Sequence, residues 1–387
     1  MVRRRGLYIR GVRILVAPDK FKGTLTAQQA AEAVAWGWSR VRPDDVIEVM
    51  PMADGGEGTM DAVVGAMGGQ VRPATVSGPL GDPVEASYGL VRDARGTGAV
   101  VEMALASGLG LLAEARRLPG RTSTRGTGEL MVRAMEEGAS HVLVCLGGSA
   151  TNDGGTGMAR AFGYRFLDGN GDEVAPGGAP LLDLQRIDAT DLHPGLAALS
   201  VTGACDVDNP LTGPSGASAV YGPQKGASPE EVLLLDRALG HLAAVVHRDL
   251  GIALHEQPGA GAAGGLGFGL LAFCGARLRP GIDVVMDAVG LAPRIARSDL
   301  VISGEGSLDA QSLHGKTPAG VLSACELAGV PAVIVCGRAE IAPDGVVVAS
   351  LSERVGPEAA LEDARSSLLL VAEELAARAD ELVGARR

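Results

Sequence analysis

Aromatic residues make up only 3% of this 387-residue chain. Its interior is therefore not organised around rings and must be packed from Ala, Val, Leu and Ile. Lysine is scarce as well. No apolar run approaches the roughly 18 to 20 residues that a membrane-spanning helix needs. The best stretch, residues 266–276, is short and interrupted by glycine. Arg3 to Arg5 followed by Ile14-Leu15-Val16-Ala17 loosely resembles a secretory signal, but Pro18-Asp19-Lys20 ends the apolar stretch too early. The formal net charge is −12. Beyond Arg3-Arg4-Arg5 there is no basic segment, which argues against nucleic acid as a partner. The five cysteines (Cys145, Cys205, Cys274, Cys325 and Cys336) are odd in number and scattered, and they read as reduced core residues of a cytoplasmic protein. Neither they nor the six histidines are spaced for zinc.

Glycine is abundant, at 57 residues with no fixed period. This excludes a collagen-like array and points to tight turns where backbone approaches a ligand. Strand-like and helix-like stretches alternate. Residues 12–17 are apolar and β-branched, residues 27–41 have helical periodicity, and Thr26 with Gln29 forms a capping box at the helix start. A strand over 46–52 and a helix over 58–67 follow. This order predicts a parallel sheet with helices on its faces. Between Ser77 and Ala296 the texture changes. The turn cluster Gly78-Pro79-Leu80-Gly81-Asp82-Pro83 precedes hairpin-like runs over 84–91 and 99–103. Strand candidates at 141–146 and 200–205 come next, with helices near 128–137, 155–162 and 229–250.

From Asp299 the open rhythm returns: a strand at 300–302, a helix at 318–327, a strand at 332–336 and a last helix over 358–382. Thr317-Pro318 reads as an N-cap followed by proline at the first helical position, and Gly329 with Pro331 closes that helix. The predicted fold class is α/β. One parallel-sheet domain is formed by both chain ends (12–77 plus 297–387), with a second α/β domain inserted at 78–296 and residues 1–11 as a flexible N-terminal extension.

Four loops share one layout, in which a strand ends and glycines, carboxylates and hydroxyls cluster. They are Pro18 to Gly23, Asp54-Gly55-Gly56-Glu57-Gly58, Gly147 to Gly155, and Ser303-Gly304-Glu305-Gly306-Ser307-Leu308-Asp309. A fifth, Asp206-Val207-Asp208-Asn209-Pro210, follows a strand directly. In open α/β sheets ligands bind outside the carboxyl ends of strands, and glycine lets backbone N–H groups approach phosphate oxygens. Any one such loop is also an ordinary glycine–aspartate turn; five together point to a polar cleft. Lys20, Lys22, Lys225 and Lys316 all fall in these or similar glycine-bearing turns. Phosphoryl transfer needs cations around the migrating group, carboxylates for Mg²⁺ and a base for the attacking hydroxyl, and the loops contain all three.

Two look-alikes are weaker. Gly259-Ala-Gly261-Ala-Ala-Gly264 fits the dinucleotide fingerprint literally but follows Glu256-Gln257-Pro258 where a strand is required, so a closely packed helix start is the better reading. Gly315-Lys316-Thr317 resembles the end of a P-loop whose leading glycine is replaced by Ala310.

Six segments taken in order resemble the bacterial glycerate kinase family: Ala17 to Gly23, Ala53 to Thr59, Gly148 to Gly155, Ala204 to Leu211, Tyr221-Gly222-Pro223-Gln224-Lys225-Gly226-Ala227, and Gly304 to Asp309. The resemblance runs from Val12 to the C-terminal helix. It implies ATP- and Mg²⁺-dependent phosphorylation of D-glycerate at the 2-hydroxyl. It also implies a Rossmann-like domain with an inserted α/β domain and a cleft between them, without a P-loop. Arg125 departs from the family pattern, where an aromatic usually precedes Gly126-Thr127-Gly128-Glu129, and this leaves room for a somewhat different acid. The extension at residues 1–11 is a second departure.

Roles follow from the resemblance and the loop chemistry together. Asp206 is the expected general base, with Asp208 as its rival. Lys22 and Lys225 are expected to neutralise the substrate carboxylate or the transferring phosphoryl group, and Ser149 and Thr151 to hydrogen-bond the substrate. Asp54, Gly55, Gly56, Glu57, Gly304, Glu305 and Lys316 are candidates for the nucleotide, and Glu305 and Asp309 for Mg²⁺. Glycerate and ATP are the expected partners, and self-association into a homo-oligomer is compatible with the sequence. Three alternatives stay open: transfer to the 3-hydroxyl or to a related hydroxy acid, a nicotinamide-dependent dehydrogenase using the Gly259–Gly264 stretch, and a non-catalytic binder of small anions.

Overall fold

The computed structural model describes residues 11–313 and 315–384. All but Gly11 of the expected N-terminal extension lies outside the described residues. The chain divides into two compact units, residues 1–54 with 285–387 and residues 55–284.

The first unit is built on a five-stranded parallel sheet in the order Val347–Ser350, Ala332–Ala339, Leu300–Leu308, Arg13–Pro18, Val46–Val49. Arg13–Pro18 is buried after its first residue, as an apolar run covered on both faces should be. It pairs in register with Leu300–Leu308 from Ile14 opposite Leu300 to Pro18 opposite Gly304. Ile14, Val16, Leu300, Ile302, Val333 and Val335 share one core with Trp38 of the Ala27–Val41 helix and Leu368, Val371 and Leu375 of the Ala364–Ala377 helix. The Thr26–Gln29 capping box is present at the start of Ala27–Val41. After Arg13–Pro18 the chain crosses to one side of the sheet, and after Leu300–Leu308 to the other. The ends of these two adjacent strands therefore form a topological switch point, the usual ligand position in open α/β sheets.

The middle unit carries a six-stranded mixed sheet, ordered Arg277–Arg279, Ser200–Ala204, His141–Cys145, Gly96–Glu102, Pro83–Asp93, Gln70–Ser77. The first four strands are parallel, and the last two add as an antiparallel meander. The helices Arg125–Glu136, Pro229–Leu250 and Ala262–Cys274 supply much of the remaining core. Among the described residues no helix is long and apolar enough to cross a membrane.

Several expected boundaries move. Residues 55–77, expected with the chain ends, fall in the middle unit, because Gln70–Ser77 pairs along its whole length with Pro83–Asp93. In addition, the Met60 N–H at the start of the Thr59–Met67 helix donates to Glu102 at 2.8 Å. Residues 285–296 fall with the chain ends, where Arg294 pairs with Glu48 of Val46–Val49. Gly304 and Glu305 lie inside a strand, not a loop, because Leu300–Leu308 continues its pairing with Ala332–Ala339 past them. Thr317 is the first helical residue and Lys316 occupies the N-cap. The expected last helix is three, Pro357–Glu362, Ala364–Ala377 and Ala379–Gly384, with Asp363 capping the second through Ser366 N–H.

Two helical glycines give a paired test. Gly37 sits where a Cβ would lie 2.5 Å from the Leu369 carbonyl oxygen and 2.8 Å from Ala372 Cβ, whereas Gly65 has nothing within 4 Å. Gly65→Ala is expected to stabilise its unit by roughly 0.5 to 1 kcal/mol. Gly37→Ala is expected to destabilise, by about 1 to 3 kcal/mol, because two helices must separate. Denaturant midpoints decide; stabilisation by both substitutions would refute the close helix contact.

Candidate active site

In the first unit the polar groups gather at the switch point. Asp19 follows Arg13–Pro18 directly, is 6% exposed, and is anchored by its own N–H on the Gly304 carbonyl at 2.7 Å. Its carboxylate accepts from Lys20 N–H at 2.6 Å and from the Thr317 hydroxyl at 2.7 Å. Thr317 begins a 12-residue helix, so Asp19 lies at a positive helix end. Burial, reinforced by the charge of Asp54, nevertheless pushes its carboxyl from the usual 3.8 up to about 6. Burial likewise pushes Glu305 up to about 7. The Ser312 hydroxyl and the Lys316 charge oppose this, and the charges of Asp19 and Asp309 add to it. Glu305 Oε1 is buried with no hydrogen-bond partner among the described residues. Asp309 is held by Ser312, whose N–H donates to Oδ1 at 3.0 Å. Lys22 is exposed and follows the buried Phe21, which is fixed by hydrogen bonding with Leu25.

In the middle unit the loop at 147–155 leaves the His141–Cys145 strand and turns inward. Ser149 is 9% exposed, and Thr151, Asn152 and Asp153 are fully buried. Asp153 accepts from Thr124 N–H (2.8 Å), the Thr124 hydroxyl (2.9 Å), Gly157 N–H (3.1 Å) and Gly155 N–H (3.1 Å). Burial still pushes its carboxyl upward against these four donors. Lys225 Nζ donates to the Thr151 carbonyl at 2.7 Å. Asp206 stands just beyond Ser200–Ala204 with an exposed side chain, and its Oδ1 accepts from Gly281 N–H at 2.7 Å. Asp208 is exposed two residues further along, in the turn leading to Pro210. Gly55, Gly56 and Glu57 form the turn before Thr59–Met67, where the Thr59 hydroxyl donates to the Gly56 carbonyl at 2.7 Å and Glu57 faces solvent.

Asp54 and Glu305 thus act on Asp19, with Asp309 and Lys316 joined to them through Glu305, and Lys225 reaches into the loop of Ser149, Thr151 and Asp153. Two groups in these sets, Asp19 and Asp153, carry no role in the sequence reading. Both stand inside the glycine-rich loops that reading singled out, but burial, which sets their chemistry, leaves no local trace in the sequence. The Gly259–Gly264 stretch starts no nucleotide-binding turn after a strand. Ala263, Gly264 and Gly265 adopt left-handed backbone inside the Ala262–Cys274 helix. All five cysteines are free, and among the described residues no three His, Cys, Asp or Glu side chains converge as a metal cage.

The sequence profile of the glycerate kinase family matches residues 14–380. The chain belongs to the glycerate kinase family. It is 48% identical over 324 residues to the glycerate kinase of Halalkalibacterium halodurans, covering 84% of this chain and 85% of that one. It is 45% identical over 326 residues to the glycerate 2-kinase of Escherichia coli K12, with coverage of 84% and 85%. A crystal structure from Salmonella typhimurium LT2, provisionally named glycerate kinase 2, superposes with a TM-score of 0.88 at 42% identity and covers 97% of this chain and 100% of that one. Membership of a kinase family implies ATP as the phosphoryl donor.

For a glycerate kinase, carboxylates kept inside against their hydration should leave a mark on stability. The Asp19 carboxyl is raised from 3.8 to about 6. The folded chain therefore binds its proton more tightly than the unfolded chain, and stability from this group, full below 3.8, is lost as pH rises through about 6. Asn can accept from Lys20 N–H and donate to Thr317, so Asp19→Asn should fold. Its denaturant midpoint should gain on the parent as pH rises across that window. A difference that stays flat with pH would show that Asp19 is not held under strain.

Proposed function

We propose that the chain transfers the γ-phosphoryl group of ATP to the 2-hydroxyl of D-glycerate, giving 2-phosphoglycerate. The observation that carries this reading is the carboxylate set Asp19, Asp54, Glu305 and Asp309 with Lys316 at the switch point of a parallel sheet, in a chain of this family. The name of the Escherichia coli relative, a glycerate 2-kinase, supports the 2-position.

Asp206 acts as general base. A secondary hydroxyl is a weak nucleophile, and a carboxylate fixed at a strand end can take its proton as the phosphoryl group arrives. The Gly281 N–H on Oδ1 sets the orientation of that carboxylate. Asp208, further into the turn, shapes the loop. Exposed Lys22 neutralises the glycerate carboxylate or the transferring group, while Ser149 supplies a hydroxyl for the substrate; Thr151, expected beside it in that role, is fully buried and belongs to the support of the loop. Asp54, Gly55, Gly56, Glu57, Gly304, Glu305 and Lys316 face the nucleotide.

Mg²⁺ in kinase sites is held by one or two carboxylates together with phosphate oxygens, not by an all-protein cage. The buried, unpartnered Oε1 of Glu305, crowded by the negative charges of Asp19 and Asp309, suits such a cation. Glu305 and Asp309 are the residues that would hold it. When bound, the metal neutralises charge developing on the transferred group.

Two measurements test this function. Enolase should consume the product directly; a requirement for phosphoglycerate mutase would place the phosphate on the 3-hydroxyl. Asp206→Asn should lower kcat by on the order of 10² to 10⁴ with little change in the glycerate KM, because the amide keeps the shape and most hydrogen bonding. Near-full activity of that variant beside a dead Asp208→Asn would exchange the two roles.

A further inference from the structure

The chain has four lysines, and one of them, Lys225, is inside the protein. It sits in the single turn Pro223–Lys225 and is 1% exposed. Its Nζ donates to the Thr151 carbonyl at 2.7 Å, and the charge supporting it is that of buried Asp153. Burial brings its ammonium down from 10.5 to about 7. A lysine side chain desolvated in this way, with a neutral carbonyl as its hydrogen-bond acceptor, is poorly explained by stability.

The same carbonyl is confined from another side. The Gly154 N–H donates to the Gly264 carbonyl at 3.1 Å. A Cβ on Gly264 (φ +69) would stand 1.9 Å from the Thr151 oxygen, so the left-handed run Ala263–Gly265 presses bare backbone against the loop. Between these restraints Thr151 Oγ1 and Asn152 Oδ1 are buried without hydrogen-bond partners among the described residues. Buried polar atoms without partners are uncommon in native proteins and costly. Ser149 lies two residues before the gripped carbonyl, at the rim of the loop, 9% exposed.

We propose that Lys225 is a positioning residue: it fixes the Thr151 carbonyl, and through it the loop at 147–153 that presents Ser149 to glycerate, without touching the substrate itself. The assignment rests on the glycerate kinase reading given above, and it deepens that reading for one loop.

The test uses the full-length enzyme and Lys225→Met, which keeps length and removes the charge. Steady-state constants are measured for glycerate and for ATP with Mg²⁺, and amide hydrogen exchange is followed by mass spectrometry. The expected result is a rise of roughly tenfold or more in the glycerate KM with the ATP KM within about twofold. Peptides covering 147–155 should exchange about tenfold faster while those of residues 13–54 are unchanged. An unaltered glycerate KM overturns the proposal. So does a raised KM with unaltered loop exchange, which would mean direct contact with substrate.

If Lys225→Met does not fold, the wild-type protein still decides by reductive methylation and peptide mapping. Exposed Lys22 should be modified and Lys225 spared with or without glycerate; modification of Lys225 that glycerate blocks overturns the proposal. Failure of the wild-type enzyme to phosphorylate glycerate would instead overturn the functional reading, and the exchange measurement on Lys225→Met would still report whether the loop is held.

Discussion

Parallel pairing of Arg13–Pro18 with Leu300–Leu308 joins stretches of chain 286 residues apart, and the first unit depends on it. Both strands are buried, so a slip of one residue would turn every core side chain to the wrong face. The register that protects the core therefore also fixes Asp19 against Gly304, through a backbone hydrogen bond of 2.7 Å. Because the sheet grows in opposite directions from this pair, the ends of its two strands form the crevice in which open α/β sheets bind ligands. Loop-closure entropy rises only slowly with length, so a long insertion between two pairing strands is thermodynamically tolerable.

A second theme is charge held away from water. Asp19, Glu305, Asp153 and Lys225 are all shifted chiefly by burial, the acids upward and the lysine downward. In a medium of low effective dielectric, hydrogen bonds and charges act strongly on whatever enters, and unpaired groups are correspondingly costly. Asp19 stands just past a strand end, Glu305 lies within the Leu300–Leu308 strand, and Asp153 and Lys225 sit in glycine-rich turns. Stability given up at such positions is a common correlate of activity.

Much of the fold was legible in the sequence because its signals are local. The Ala27–Val41 and Pro229–Leu250 helices appear with the expected bounds, as apolar periodicity and end caps dictate. The glycines and polar residues around Gly304–Glu305 are turn formers and predict a loop, yet pairing with Ala332–Ala339 keeps the stretch extended. Tertiary hydrogen bonding overrode propensity there. Gln70–Ser77 reads as a strand only beside its partner, with proline at its middle and five of its first six residues exposed. The break at Asp363 is a cap made by one side chain within an otherwise continuous helical pattern.

The sequence by itself determined the α/β class, the glycine-rich loops at strand ends and the family, since composition, periodicity and ordered motifs are all carried by the order of residues. Only the tertiary structure decided that Asp19 and Glu305 are desolvated neighbours of the same acidic set, that Lys225 faces the Thr151 carbonyl instead of solvent, and that Ala263–Gly265 runs left-handed against it. Burial and electrostatic coupling depend on which distant segments pack together, and that information is spread over the whole chain.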